Sequence, residues 1–169
     1  LLAILFFAVA AYYIYDNLRE KDYAEKIGEI IHLEDQRDLS GALKAYLEDP
    51  NSDIRGRAAL AIGRIGGEGS GQILNDLISS DSSMDVAAVA AFAIGLTDQK
   101  QFAAGLLDLA LDLPSKVALP LVEAAGRLTD TSMAEETNML AGFLSHPSPD
   151  VREVTCMALF RAGAKNLAP

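Results

Sequence analysis

Apolar residues return along the chain at helical spacing and in register with a short repeated motif. The motif starts at Asp22, Asp53, Asp85, Lys116 and Asp150, with gaps of 31, 32, 31 and 34 residues. One position on stand Tyr23, Ile54, Val86, Val117 and Val151; five on, Ile27, Ala58, Ala90, Leu121 and Thr155. Eight on stand Ile30, Ala61, Ala93, Ala124 and Ala158, and nine on Ile31, Ile62, Ile94, Ala125 and Leu159. These offsets share one face of a helix, so each copy predicts an amphipathic helix with an alanine-rich buried side.

Ahead of four of the motifs lies a second apolar set spaced i, i+1, i+4, i+5: Ala42, Leu43, Tyr46, Leu47; Ile73, Leu74, Leu77, Ile78; Leu106, Leu107, Ala110, Leu111; Met139, Leu140, Phe143, Leu144. Each unit is therefore two antiparallel helices, an outer one with large side chains and an inner one with small ones. Small side chains let inner helices pack closely from one unit to the next. A fixed period of this size signals a solenoid.

Turn chemistry supports the same division. Asp-Pro-Asn-Ser-Asp at 49–53 and Ser-His-Pro-Ser-Pro-Asp at 145–150 break the chain between helices. The opening aspartates Asp53, Asp85 and Asp150 are expected to cap the next helix by accepting backbone N–H bonds. Gly66 and Gly163 are placed to close inner helices in the left-handed region. Ten residues after the motif start, Gly63, Gly95 and Gly126 recur inside the inner helix, where glycine costs about 1 kcal/mol against alanine. Close approach of a neighbouring helix explains that cost. His32 and Phe160 take this place in the first and last copies, so the two ends of the array are expected to pack differently. Pro120, inside the copy that opens with Lys116, predicts a kink.

The stretch from Asp53-Ile54-Arg55 through Ala58-Ala59-Leu60-Ala61-Ile62-Gly63-Arg64-Ile65-Gly66, with Asp150-Val151-Arg152 through Ala158-Leu159, resembles short bacterial HEAT-like repeats of the kind also found in phycobilisome lyases. The resemblance covers about residues 22–167. It implies an all-α fold, an armadillo-like α-solenoid of antiparallel helix pairs preceded here by an apolar N-terminal helix. The expected units are about 18–38, 39–67, 70–98, 100–130 and 132–165, within a repeat domain spanning 18–169. Proteins with such repeats serve as scaffolds, adaptors, lyase subunits and DNA-repair proteins.

Residues 1–17 form the other region, opening with LLAILFFAVAAYYIY, fifteen residues without a charge. A bilayer span needs about 20 residues. The chain has no initiator methionine and stops at Asn166-Leu167-Ala168-Pro169, where another outer helix is due, so a fragment is expected. Three readings stand side by side: a transmembrane anchor with Tyr12, Tyr13 and Tyr15 at the interface, the apolar core of a secretory signal with Ala8-Val9-Ala10 as its cleavage site, and a buried core helix. The first two imply membrane attachment or export to the periplasm or cell envelope. Arg19 and Lys21 argue mildly for a cytoplasmic repeat domain, whereas the signal reading places it outside.

Composition narrows the partners. With 14 basic against 24 acidic residues and a net charge of −10, the chain lacks the basic surface that sequence-independent nucleic-acid binding needs. A protein or peptide is the expected partner, with a membrane engaged through residues 1–15. No catalytic, cofactor-binding or metal-binding set stands out. Cys156, the sole cysteine, lies on the alanine-rich helix and reads as a small buried hydrophobe. His32 and His146 have no HxxxH or CxxC company; His32 reads as a helix-end partner for a carbonyl and His146 as a solvated turn residue.

Gly66-Gly67-Glu68-Gly69-Ser70-Gly71 has the glycine content of a phosphate loop, but no strand precedes it and no Gly-Lys-Ser/Thr follows, so it reads as a turn with Ser70 capping the next helix. The pairs Glu34-Asp35 and Glu135-Glu136 read as solvated charges. Arg55, Arg57, Arg64, Arg127 and Arg152 lie on or beside inner helices and are the candidate partner-binding residues, with a ladder to neighbouring acids as the alternative. The function expected from all this is a non-catalytic protein-binding scaffold, membrane-tethered or exported. The rival expectations are the recognition arm of a longer enzyme, such as a secreted peptidyl-prolyl isomerase or protease, and a chromophore-lyase-like subunit.

Overall fold

The computed structural model describes residues 2–39 and 41–163, with side chains from residue 11 onward. Leu1, the side chains of Ala8-Val9-Ala10 and the tail from Ala164, where the last expected unit ends, lie outside the described residues. Among the described residues the chain is all helix, with no strand. A long helix α1 (Leu2–Asp35) is followed by α2 (Gly41–Ala45), α3 (Ser52–Ile65), α4 (Ser70–Ser80), α5 (Met84–Ile94), α6 (Ala103–Asp112), α7 (Ser115–Leu128), α8 (Ala134–Gly142) and α9 (Pro149–Arg161). Short 3-10 turns extend α2 (Tyr46–Glu48) and α8 (Phe143–Ser145) and lead into α6 (Lys100–Phe102). The pairs α2–α3, α4–α5, α6–α7 and α8–α9 stack into an α-solenoid. Its inner layer is α3, α5, α7 and α9, each packed on the next.

The core runs continuously between the layers. Leu74, Leu106, Leu107 and Leu140 from the outer helices meet Ile54, Ile62, Ile94 and Leu121 from the inner ones, and all are buried. Between inner helices the contact is backbone against methyl. A Cβ added at Gly63 would lie 2.5 Å from the Ala93 carbonyl oxygen, one at Gly95 would lie 2.8 Å from Ala124 Cα, and one at Gly126 would collide with Ala158. The recurring glycine of one unit thus receives the recurring alanine, two positions earlier in register, of the next. Outer helices carry leucine and phenylalanine and cannot approach as closely, so the inner layer is the shorter one and its solvent side is concave.

Helix starts differ from expectation. Asp53, Asp85 and Asp150 stand at the second position inside their helices, and the caps lie two residues earlier: Asn51 Oδ1 accepts from the Asp53 N–H at 2.9 Å, Ser83 Oγ accepts from the Val86 N–H at 3.5 Å, and Ser148 precedes Pro149. A residue already in helical geometry cannot fold its own carboxylate back onto the first free N–H groups. It still opposes the positive end of the helix dipole. Ser70 is likewise the first residue of α4, not its cap; Gly69 holds the left-handed cap position, and the Ser70 hydroxyl donates to the Gly67 carbonyl at 2.8 Å. Gly66 and Gly163 have positive φ, 64° and 71°, at the ends of α3 and α9. Helix α7 runs through Pro120 from Ser115 to Leu128.

The two ends pack in their own way. Helix α1 continues unbroken through residues 17 and 18, and its 34 residues make it about 51 Å long. It offers Ile27, Ile30 and Leu33 to the array while Tyr23 and Ile31, which the repeat pattern assigns to the buried face, are 39% and 43% exposed. In the other units that face is covered by the unit's own outer helix, and among the described residues α1 has none. Tyr12, Tyr13, Ile14, Tyr15 and Leu18 are exposed as well. Among the described residues no helix is long and apolar enough to cross a membrane. At the other end Cys156 is exposed, against the buried position expected for it, because its equivalents Ala59, Ala91 and Val122 are covered by the following unit.

Candidate functional site

A larger cavity of about 710 Å³ lies between α1 and the turn ahead of α3, lined by charged side chains such as Arg19, Asp22 and Lys26; the groove with an apolar floor lies on the concave side, between α3 and α5. A cavity of about 300 Å³ opens there, lined by Asp53, Gly56, Arg57 and Leu60 on one side and Asp85 and Val89 on the other. Helix spacing explains the grouping, since positions three, four and seven past each motif start face solvent on the inner layer. Gly56 leaves the gap; a Cβ there would come 3.9 Å from Val89 Cγ2. The floor is apolar, the helix N-termini bring the carboxylates of Asp53 and Asp85 to one end, and Arg57 stands nearer the other.

The five arginines expected to bind a partner divide into two groups. Arg57 and Arg64 converge on Glu34 of α1, with Arg57 Nη2 donating at 2.5 Å and Arg64 Nη1 at 3.1 Å. Burial pushes the Glu34 carboxyl up, but hydrogen bonds from the two guanidiniums outweigh it and hold the group below the ordinary carboxylate value. Arg57 Nη1 is buried without a hydrogen-bond partner among the described residues. Arg127 donates to Glu123 at 2.7 Å and lies 4.8 Å over the Phe92 ring, a cation–π contact that ties α7 to α5 on the same surface.

Arg55 and Arg152 belong to the turn edge instead. Arg55 donates through Nε and Nη2 to both oxygens of Asp81, at 2.7 and 2.9 Å, and through Nη1 to the carbonyls of Asp49 and Pro50 at 2.8 and 3.3 Å. This fork pins the turn of one unit to the turn of the next. It holds the Asp81 carboxyl well below its ordinary value. Arg152 makes the equivalent bonds to the carbonyls of His146 and Pro147, at 2.8 and 3.0 Å. The ladder reading thus holds for Arg55, Arg57 and Arg64.

Other polar residues are structural. His146 accepts the Ser148 N–H at Nδ1, 3.1 Å, and is half-buried against Phe143, so it is a turn former rather than a solvated residue. Asp49 and Asp81 occupy the same place in their turns and accept from Asn51 and Ser83. His32 meets the Gln36 side chain at 2.9 Å, not a carbonyl. In the glycine-rich turn the Gly67 carbonyl receives Ser70 Oγ and Gln99 Nε2, the latter at 2.6 Å, and Gly71 is packed under Phe102. Near α1, Lys26 bridges Asp22 at 2.8 Å and Asp49 at 3.0 Å, and Tyr46 donates to Glu29 at 2.6 Å, which pushes the phenol up to about 12. Among the described residues no group of three His, Cys, Asp or Glu side chains is placed to hold a metal ion.

Glu34, expected as a solvated charge, is instead held partly buried between Arg57 and Arg64, and sequence reasoning passed over Asp81, the groove residues Gly56, Leu60 and Val89, and Phe92 beneath Arg127. Asp49 and Asp81 both stand four residues ahead of a motif start, a recurrence that marks the turn clamp. Leu60 and Phe92 both stand seven past one, on the face that the buried offsets leave over.

No curated protein matches the chain. Residues 21–95, from the middle of α1 to the end of the α4–α5 unit, match the family model described as HEAT repeats. The same helix pair continues through α9, so the chain is an all-α solenoid whose residues 21–95 are similar to HEAT repeats.

Proposed function

We propose that this chain is a non-catalytic scaffold that binds a protein or peptide on the concave surface of its inner helices. The observation that carries the reading is the groove between α3 and α5, where an apolar floor of Gly56, Leu60 and Val89 lies between Asp53 and Asp85 at one end and Arg57 at the other. A stacked solenoid presents such a groove ready-made, so a docking segment bears the ordering cost alone. HEAT repeats as a family support the same reading, since they commonly mediate protein–protein contact.

Photo-cross-linking in the native host tests it. A photoreactive residue at Leu60 or Val89 is expected to give a discrete protein adduct, and one at Gln72 or Asp108 on the outer helices is not. Adducts of equal yield from both layers, or none from the groove, overturn the reading.

The second part of the proposal is that residues 1–15 tether the scaffold to a membrane or direct its export. Two features support it: the run is uncharged in sequence, and α1 carries Tyr12, Tyr13, Ile14 and Tyr15 with 60 to 70% of their surface exposed. Removing residues 1–15 is expected to move the protein from the membrane to the soluble fraction with its repeats still folded. Loss of helical content on that deletion would make the segment part of the core instead.

A further inference from the structure

On the concave face of the three middle inner helices, charges meet in pairs except on α3. Positions 0, 4, 7 and 11 past a motif start fall within about 60° of one another around a helix and so form one stripe along it. On α3 the stripe is Asp53, Arg57, Leu60 and Arg64; on α5 it is Asp85, Val89 and Phe92; on α7 it is Lys116, Pro120, Glu123 and Arg127. Lys116 pairs with Asp85 across to the preceding unit, and Arg127 pairs with Glu123. On α3 two guanidiniums share the single carboxylate of Glu34, and Arg64 keeps 51% of its side chain exposed. The Asp53 carboxylate is exposed and has no ion-pair or hydrogen-bond partner among the described residues. The groove beside α3 therefore has an unmatched negative charge at one end and a surplus positive charge at the other. Eleven residues separate them, about 16 Å along the helix.

The floor between those charges limits the backbone that can lie on it. Gly56, Leu60 and Val89 have no side-chain donor or acceptor. An extended segment laid there loses water from its N–H and C=O groups and gains no bond in return, whereas a helix satisfies its own backbone and turns only side chains to the groove. The gap that Gly56 leaves between two parallel helices also suits the side chains of a third, seated at i, i+3, i+4 and i+7.

Charge sets the direction. A helix is most stable with acids in its first turn and bases in its last. Laid parallel to α3, such a helix meets like charge at both ends. Laid antiparallel, it brings its acids to Arg64 and its bases to Asp53, and its dipole opposes those of α3 and α5. We propose that the groove receives an amphipathic helix of a partner protein, antiparallel to α3 over about three turns, acidic at its start and basic at its end. This names the partner chemistry of the scaffold described above and rests on that groove being its binding surface.

Two helix-stapled synthetic peptides of identical composition test it by fluorescence anisotropy on the full chain. Both carry leucines at i, i+3, i+4 and i+7; one has glutamates in its first turn and arginines in its last, and the other has these exchanged. The first is expected to bind at least fivefold tighter, with the difference fading as salt rises. Asp53→Lys is expected to weaken the first peptide about fivefold and to strengthen the second. Leu60→Asp is expected to abolish binding of both; both variants alter surface-accessible positions, and unchanged circular dichroism checks their fold. A photoreactive residue at Ser52 is expected to attach near the C-terminus of the first peptide, and one at Leu60 nearer its N-terminus. Equal affinity for the two peptides, or attachment in the opposite order, overturns the antiparallel helix while the groove stands as a binding surface. Failure of both peptides to bind, alongside a protein adduct from Leu60 in the native host, overturns the helix and leaves the scaffold reading in place. An adduct from Leu60 to another segment of the same protein overturns the partner, and no adduct at all removes both readings.

Discussion

The seam between α1 and α3 and the three seams from α3 to α9 join the same kind of helix by different means. From α3 onward, glycine receives alanine and the helices meet at backbone distance, with a leucine-rich outer layer behind them. At α1 the glycine position holds His32, and among the described residues no outer helix stands behind. Ile30 and Leu33 are buried at that seam, Glu34 between Arg57 and Arg64 adds a polar clasp to α3, and Lys26 on Asp49 and Tyr46 on Glu29 fix α1 to the α2 extension and the turn after it. Backbone-to-methyl packing is insensitive to pH and salt and intolerant of added volume, and between the α3 and α5 units the Arg55–Asp81 clamp adds a charged contact to it. Polar seams tolerate volume and depend on charge state. The difference shows that where the repeat glycine is replaced, as at His32, side-chain bonds of longer reach supplement apolar burial.

Adding volume to an apolar seam should break the comparison hardest. Gly126→Leu is expected to cost about 3 kcal/mol or more, since Ala158 leaves no room and both neighbours are backbone or Cβ atoms that cannot swing away. Urea unfolding would measure it, and amide exchange should place the loss at α7 and α9. A neutral substitution would end the close-approach argument.

Next in size is the turn clamp. Asp81→Ala leaves the half-buried Arg55 without its carboxylate and is expected to cost about 3 kcal/mol, toward the lower end for a broken buried pair. The pH dependence has a definite sign. Asp81 is held below its ordinary 3.8, so the stability it adds is present above that pH and is lost as pH falls through the depressed folded value. Asp81→Asn should therefore unfold with a shallower acid limb than the unmodified chain.

Glu34→Gln is expected to have a smaller effect, about 1 to 2 kcal/mol, confined to α1 in exchange experiments while α7 and α9 keep their protection. Spread of the loss along the whole array would mean that the first seam is not separate from the rest. Smallest is the cap pair: Asn51→Ala should cost about 1 kcal/mol and Asp53→Ala about half as much, because only Asn51 accepts an N–H bond whereas Asp53 meets only the dipole. The reverse order would return the cap to the motif aspartate.

Much of the fold was legible before any coordinates, and for stated reasons. Ala58, Ala61 and Ile62 recur with their counterparts at helical spacing, so inner helices, period and buried face follow from burial alone. Gly63, Gly95 and Gly126 were legible because an intrahelical glycine costs stability unless a neighbour requires it. Cys156, Tyr23 and Ile31 were misread for one reason: the pattern says which face a residue occupies, and only the array says whether a unit stands there to cover it. The caps were misread because a motif's first recurring residue need not be a helix's first boundary.

The sequence by itself determined the helix pairs, their order and the small-on-small chemistry of the inner seams, because these depend on spacing along the chain. The tertiary structure decided which arginine meets which acid and where the groove between α3 and α5 opens. Those depend on groups 23 to 32 residues apart, such as Arg57 with Glu34 and the Gln99 amide with the Gly67 carbonyl, brought together by stacking. A local pattern carries no information on such distances until the stack exists.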